Sequence, residues 1–209
     1  MKQYHHIRQN YGKNELQESM IPENPAELFS AWFDNALKQA VPDANAMVLS
    51  TAKEGRPSSR IVLLKELKET GFVFFTNYNS RKAREISTNQ NACLLFFWPQ
   101  LEQQIRIEGL VEKVSEADSI AYFQSRPFAS QIGATVSRQS EILKDKQHLK
   151  QDFEALLRAK EPLKKPANWG GYQLIPDYYE FWQGGADRLH DRVSYKRVAE
   201  AWEIFRLYP

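Results

Sequence analysis

Between residues 46 and 114 the chain repeats one pattern: short runs of β-branched, aromatic and aliphatic residues, each closed by a turn signal. AMVLSTA (46–52) reads as a strand, KEGRP as a turn, and SSRIVLLKEL (58–67) as a second strand. KETG turns the chain into FVFFTN (72–77), and the spacing predicts that these three segments form an antiparallel meander. A short helix, RKAREIST, follows Ser80, then a strand ACLLFFW (92–98). A longer strand over 102–114 alternates Gln104, Arg106 and Glu108 with Ile105 and Ile107, as a sheet with one buried face requires.

The flanks add helices and more strands. The first twenty residues are polar and aperiodic, and read as a flexible arm that stays loose or folds over something. A helix is expected over 24–40, with Asn24 as cap, Pro25 at the first position, and Leu28, Phe29, Trp32, Phe33, Ala36 and Leu37 as its apolar stripe. Ser115 and Asp118 open a helix that Pro127 ends near Arg126. Residues 141–160 read as a charged helix with Leu149, Phe153, Leu156 and Leu157 buried. After the connector EPLKKPANWGG come strands at GYQLIP, YYEFWQ, DRLHDRVSY and AWEIFRLYP. The expected fold class is mainly β with helices (α+β), an antiparallel β-barrel decorated by peripheral helices. The expected organisation is an arm over 1–20 and one domain over 21–209.

Composition narrows the function. With 28 Lys+Arg against 26 Asp+Glu in 209 residues, the formal charge of +2 carries no polyanion-binding signature. Cys93 is the only cysteine, which excludes an intramolecular disulfide and a cysteine-rich zinc site. His5, His6, His148 and His190 lack metal-ligand spacing, so no metal is expected. Without a signal-peptide core or an apolar run near 18 residues, a cytoplasmic location is expected and a membrane partner is not.

Several clusters could hold anions. If 188–194 is a strand, Arg188, His190 and Arg192 share a face, which fits either a solvated outer surface or an anion site beside a histidine. Gly184 and Gly185 upstream would let backbone approach a planar ligand. Arg60 and Lys65 bracket an apolar strand and sit on opposite faces unless it bulges or ends. Arg81 and Lys82 open a helix, where cations oppose the macrodipole unless a phosphate binds. Tyr122 and Arg126 are four apart on a helix, with Ser130 just beyond, and VSRQS (136–140) adds polar groups without a structural task. Together these exceed the needs of one small ligand and suggest two phosphorylated ligands held close together.

These segments, RIVLLK, FFTNYNSRKA, YFQSRP with SQIGA, SRQS, WGGY and EFWQGG with RLHDR, resemble the pyridoxamine/pyridoxine 5′-phosphate oxidase family, in order from Ile7 to the C-terminal RLYP. The resemblance implies a split β-barrel homodimer with FMN at the subunit interface. The implied reaction oxidises pyridoxamine or pyridoxine 5′-phosphate to pyridoxal 5′-phosphate, with dioxygen reduced to hydrogen peroxide. It further implies FMN contacts at Arg60, Ile61, Val62, Leu63, Leu64, Lys65, Phe75, Thr76, Arg81, Lys82, Gln104, Gln139, Ser140, Trp182 and Arg192. The substrate phosphate is implied at Lys65, Tyr122, Arg126 and Ser130, with Arg188 and His190 as catalytic residues over the reacting side. Arg8 and Tyr11 match the family's lid. The rivals are another flavin split-barrel enzyme, a non-catalytic FMN or pyridoxal phosphate carrier, and a single-stranded nucleic-acid binder. The near-neutral charge speaks against the last.

Overall fold

A computed structural model describes residues 2–6 and 10–209, so Arg8 of the expected lid lies outside the described residues. The elements are α1 (Pro25–Lys38), β1 (Ala46–Lys53), β2 (Arg56–Leu63), β3 (Glu66–Lys68), β4 (Gly71–Asn77), α2 (Arg81–Thr88), β5 (Asn91–Trp98) and β6 (Gln103–Lys113). They continue with α3 (Glu116–Ser125), α4 (Phe128–Val136), α5 (Lys146–Ala159), β7 (Trp169–Gln183), β8 (Asp191–Val198) and β9 (Ala201–Arg206). The strands form one sheet in the order β2-β1-β5-β6-β7-β4-β3, with β8 joining β7 to β9. Mainly antiparallel β with helices between strands is the fold class expected from the sequence.

The predicted meander forms in two pieces, with β2 beside β1 and β3 beside β4. The segment 58–67 breaks at Leu63, and Glu66–Lys68 becomes a separate strand that pairs with β4 through Glu66↔Val73 and Lys68↔Gly71. The other edge of β4 pairs with β7, from Phe72↔Leu174 to Asn77↔Trp169, and not with β2. Six of the seven β4 residues are buried, so this strand lies inside the sheet, covered on both faces. Helix-capping chemistry moves two other boundaries. Asp145 accepts from the Gln147 amide at 2.7 Å, so α5 begins at 146 rather than 141. Pro127, expected only to end a helix, also caps the start of α4, which the sequence reading missed. The expected stripe of α5 is at most half-buried, and Leu157 is exposed, because the helix packs against α4 alone among the stronger contacts. GYQLIP and YYEFWQ are one strand, with Pro176 between the stretch paired to β4 and the stretch paired to β8.

The chain divides into two compact units. The first comprises Met1–Leu49, Cys93–Gly109 and Pro176–Pro209. Asn24 caps α1 by accepting from the Ala26 amide at 3.0 Å, and the helix buries Leu28, Phe29, Trp32 and Ala36, while Leu37 stays exposed. Phe29 meets Phe96 edge-on at 5.2 Å, Trp32 meets Phe181 at 5.4 Å, and Phe181 meets Tyr195 at 5.8 Å. Burying each such ring stabilises the fold by about 1.5–3 kcal/mol. The second unit comprises Ser50–Ala92 and Leu110–Ile175, with Phe72, Phe74, Ile86, Phe123, Ile132 and Leu174 in its core. No helix among the described residues is long and apolar enough to cross a membrane.

The turn before β4 depends on Gly71, whose φ is +151° and whose added Cβ would lie 2.0 Å from the Leu174 carbonyl oxygen. Gly71→Ala is therefore expected to lower stability by about 1–3 kcal/mol, read as a lower urea midpoint with an unchanged m-value.

Candidate functional site

The second unit contains a cleft of about 590 Å³ lined by β2, β4, α2, α3, α4 and the segments around them. Its aromatic wall is a stack of three rings. Phe75 lies on Tyr122 with centroids 3.9 Å apart, and Phe75 and Tyr122 lie 5.6 and 6.2 Å from the near-parallel ring of Trp169. The stack is possible because Phe75 faces Gly171 across the β4–β7 ladder, where a Cβ would come within 2.8 Å of the Phe75 ring.

Three cations line this cleft without a carboxylate partner among the described residues: the exposed Lys65, and the less exposed Lys82 and Arg126. Lys82, in the first turn of α2, is buried and donates to Thr76 Oγ1 and Gln139 Oε1, each at 3.0 Å. Burial, and then the nearby Arg60 charge, push its pKa down to about 8. Arg126, the residue capping the end of α3, lies over Trp169 with its Cζ 4.8 Å from the ring centroid. Burial lowers its pKa, and its Nη1 is buried without a hydrogen-bond partner. An unpaired buried guanidinium nitrogen costs stability unless a ligand acceptor meets it.

Of the residues expected to contact FMN, Ile61, Val62, Leu63, Lys65, Phe75, Thr76, Lys82 and Gln139 line this cleft, as do Tyr122, Arg126 and Ser130 of the expected substrate set. Arg60 and Lys65 need not oppose each other, because β2 ends at Leu63 between them. Leu64 is packed in the core, and Ser140 lies in an exposed loop with φ 72°. Arg60 and Arg81 do not line the cleft but converge on Glu85, one turn beyond Arg81 on α2. Gln104, Trp182, Arg188, His190, Arg192 and Tyr11 belong to the other unit.

In that unit the expected strand face of Arg188, His190 and Arg192 does not exist. Asp187 and Arg188 take left-handed φ angles of 52° and 65° in a 3-10 turn, so β8 starts only at Asp191. Arg188 is exposed and makes no hydrogen bond or ion pair among the described residues. His190 accepts the Gly185 N–H at Nδ1 (3.1 Å), which places the proton of the neutral ring on Nε2. Tyr11 meets Trp182 edge-on at 5.5 Å and His190 at 5.8 Å, while Trp182 and His190 lie 4.8 Å apart. Arg192 donates through Nε to Glu180 Oε1 at 2.8 Å, and Arg106 donates to Glu180 Oε2 at 2.5 Å. Glu180 is buried; burial would raise its pKa, but the two arginines hold it below the usual range. The carboxylates Glu85, Glu102 and Glu180 were all missed from sequence. Only Glu85 gave a signal, its spacing of four from Arg81.

Comparison with known proteins places this geometry. Residues 33–158 match the family model described as pyridoxamine 5′-phosphate oxidase, and 169–209 match the pyridoxine 5′-phosphate oxidase C-terminal dimerisation region. The chain is 46% identical over 205 residues to the pyridoxine/pyridoxamine 5′-phosphate oxidase of Thermosynechococcus vestitus, and 48% identical over 208 residues to that of Burkholderia thailandensis. Each alignment covers 97% of both chains. Among solved structures, PhzG from Burkholderia lata 383 in complex with tetrahydrophenazine-1-carboxylic acid aligns with TM-score 0.90 and 31% identity, over 93% of this chain and 98% of that one. A pyridoxamine 5′-phosphate oxidase-related, FMN-binding protein from Nostoc punctiforme aligns with TM-score 0.72 and 19% identity, over 87% and 97%. The fold is the FMN-binding split β-barrel expected from the sequence.

Beside Tyr11, the N-terminal segment is tied down by charge. Glu102 Oε2 accepts from the Gly12 and Lys13 amides at 2.8 and 3.1 Å, and Asp191 Oδ2 accepts from Leu16 at 2.9 Å. Arg206 adds bonds to Glu18 (2.6 Å) and to the Leu16 carbonyl (2.7 Å). Glu102→Ala removes the acceptor shared by two backbone donors. Amide exchange at Gly12 and Lys13 is expected to accelerate by at least about tenfold, measured by hydrogen–deuterium exchange.

Proposed function

Since the chain belongs to the pyridoxine/pyridoxamine 5′-phosphate oxidase family, with FMN as cofactor, we propose that it oxidises pyridoxamine 5′-phosphate and pyridoxine 5′-phosphate to pyridoxal 5′-phosphate. The observation that carries this reading is a pair of cations without carboxylates in one cleft, the buried Lys82 and the half-buried Arg126 with its buried, unpaired Nη1, beside a stack of three aromatic rings. Two separate cations suit two phosphates, one on the cofactor and one on the substrate. FMN, when bound, would supply the two-electron acceptor for the hydride lost from the substrate C4′, with dioxygen as the final oxidant and hydrogen peroxide as its product. In the amine reaction, water supplies the aldehyde oxygen and ammonia leaves.

The protein's part is to bind, orient and exclude water. Lys82, positioned by Thr76 and Gln139, would hold the cofactor phosphate. Arg126 would take the substrate phosphate on its unpaired Nη1, with Lys65, Tyr122 and Ser130 in the same cleft. Arg188, unpaired among the described residues, would orient the substrate ring, and His190 would donate to it from Nε2. Tyr11, packed on His190 and Trp182, would shield that side from water, since excluding solvent strengthens each charged contact. A homodimer is part of this reading. The edge strand β2 leaves Ile61 63% and Leu63 41% exposed, an apolar edge that a second copy would cover.

The purified protein is expected to show flavin absorbance that bleaches on anaerobic addition of pyridoxamine 5′-phosphate and returns with air, releasing one hydrogen peroxide per pyridoxal 5′-phosphate. A colourless protein that cannot be reconstituted with FMN would refute the reading. Bleaching by tetrahydrophenazine-1-carboxylic acid alone would favour the chemistry of the PhzG-like relatives. Sedimentation at twice the chain mass tests the dimer.

The Lys82 pKa sets a pH dependence. In the free protein Lys82 loses its proton as pH rises through about 8, and an anion binds the protonated form. The Kd for FMN is expected to be flat below pH 7 and to rise above pH 8, by up to about tenfold per pH unit. Lys82→Gln should bind FMN more weakly at pH 7 and lose this rise, as followed by flavin fluorescence.

A further inference from the structure

Glu85 is the most heavily bonded carboxylate of the second unit, and neither the cofactor contacts nor the substrate contacts implied by the family resemblance include it. It sits in the second turn of α2 with its side chain 6% exposed. Oε2 accepts from Thr51 Oγ1 and Ser58 Oγ, each at 2.6 Å, and from Arg60 Nη2 at 3.0 Å. Oε1 accepts from Arg81 Nε at 2.8 Å. Arg60 also donates from Nη1 to Thr51 at 2.6 Å and from Nη2 to Ser58.

The grip on Arg81 is one-sided. Only its Nε is engaged among the described residues, and the side chain is 64% exposed, so the two terminal nitrogens make no bond to the carboxylate. A long guanidinium in solvent samples many rotamers, and binding a ligand would have to freeze them. Glu85 has already done so, and its own position is set by two hydroxyls. Arg60, held by the same oxygens, is near enough to Lys82 to depress its pKa. Arg60, Arg81 and Lys82 against one Glu85 leave a local charge near +2 while Lys82 is protonated, which matches a phosphate dianion.

We propose that Glu85 is a positioning residue for the flavin phosphate, holding Arg81 by its inner edge, beside Arg60, so that the terminal nitrogens of Arg81 and the ammonium of Lys82 meet that phosphate. The proposal rests on the reading that the phosphate of FMN lies at the start of α2. The opposite possibility is physically distinct: a carboxylate among these arginines could compete with the phosphate, and its removal would then tighten binding.

Full-length protein freed of flavin, titrated with FMN and with riboflavin, separates these cases, because riboflavin lacks the phosphate. Glu85→Gln keeps the side-chain volume and removes the charge. Its Kd for FMN is expected to rise at least about tenfold although the cluster becomes more positive, while the Kd for riboflavin changes by less than about twofold. Tighter FMN binding, or equal loss of FMN and riboflavin, would overturn the proposal. Arg81→Lys keeps the charge but not the two-edged geometry, and it is expected to lose the preference for FMN in the same way. If Glu85→Gln does not fold, an Arg81→Lys protein with an unchanged FMN-to-riboflavin ratio overturns the proposal. Absence of FMN binding by the unsubstituted protein would overturn the underlying site reading as well.

Discussion

Burying a cation is tolerable only when something of opposite charge or strong hydrogen-bonding power meets it, and this constraint organises the protein's polar interior. Glu85 gathers Arg60 and Arg81, and Glu180 gathers Arg106 and Arg192. Both carboxylates are buried, and burial alone would raise their pKa values. The bonds from Ser58, Thr51, Arg81 and Arg60 instead bring Glu85 down to about 2, so it stays charged throughout the physiological range. Against this background Lys82 and Arg126 are exceptions, since neither has a carboxylate among the described residues. Both lie in the same cleft.

The cleft walls follow from backbone packing. β4 is buried on both faces, which places Phe75 and Thr76 in a strand that cannot shift. Gly171 opposite Phe75 leaves room for the ring, and Tyr122 and Trp169 complete the stack from α3 and from the start of β7. Ser80 then starts α2 directly after the strand, accepting from the Ala83 amide, so Lys82 enters the cleft where Thr76 can receive it. A planar aromatic wall and a fixed cation suit a ligand that combines an aromatic ring with a phosphate.

Much of this was legible in the chain. Strand alternation predicted β1, β4, β5 and β6 to within a residue or so, and the Asn24–Pro25 and Ser80 signals located α1 and α2. These features are local: they depend on side-chain period and on capping over three or four residues. The expectations that failed depended on partners far away in sequence. The 58–67 segment broke at Leu63, so β4 kept only its end, β3, on one edge and took the distant β7 on the other. Arg188, His190 and Arg192 lost their common face through two left-handed residues that no periodicity announces.

By itself, therefore, the sequence determined the fold class, the family likeness and the residue types needed for two phosphorylated ligands. Only the tertiary structure decided which cations are already satisfied and which are not. Arginines at 60, 81, 106, 126 and 192 look equivalent in the chain, yet four are held by buried carboxylates and Arg126 is not. The reason is that, except for Arg81 and Glu85 on one helix, charge compensation is set by distances of about 3 Å in space between residues 12 to 74 apart in the chain, which neither composition nor spacing encodes.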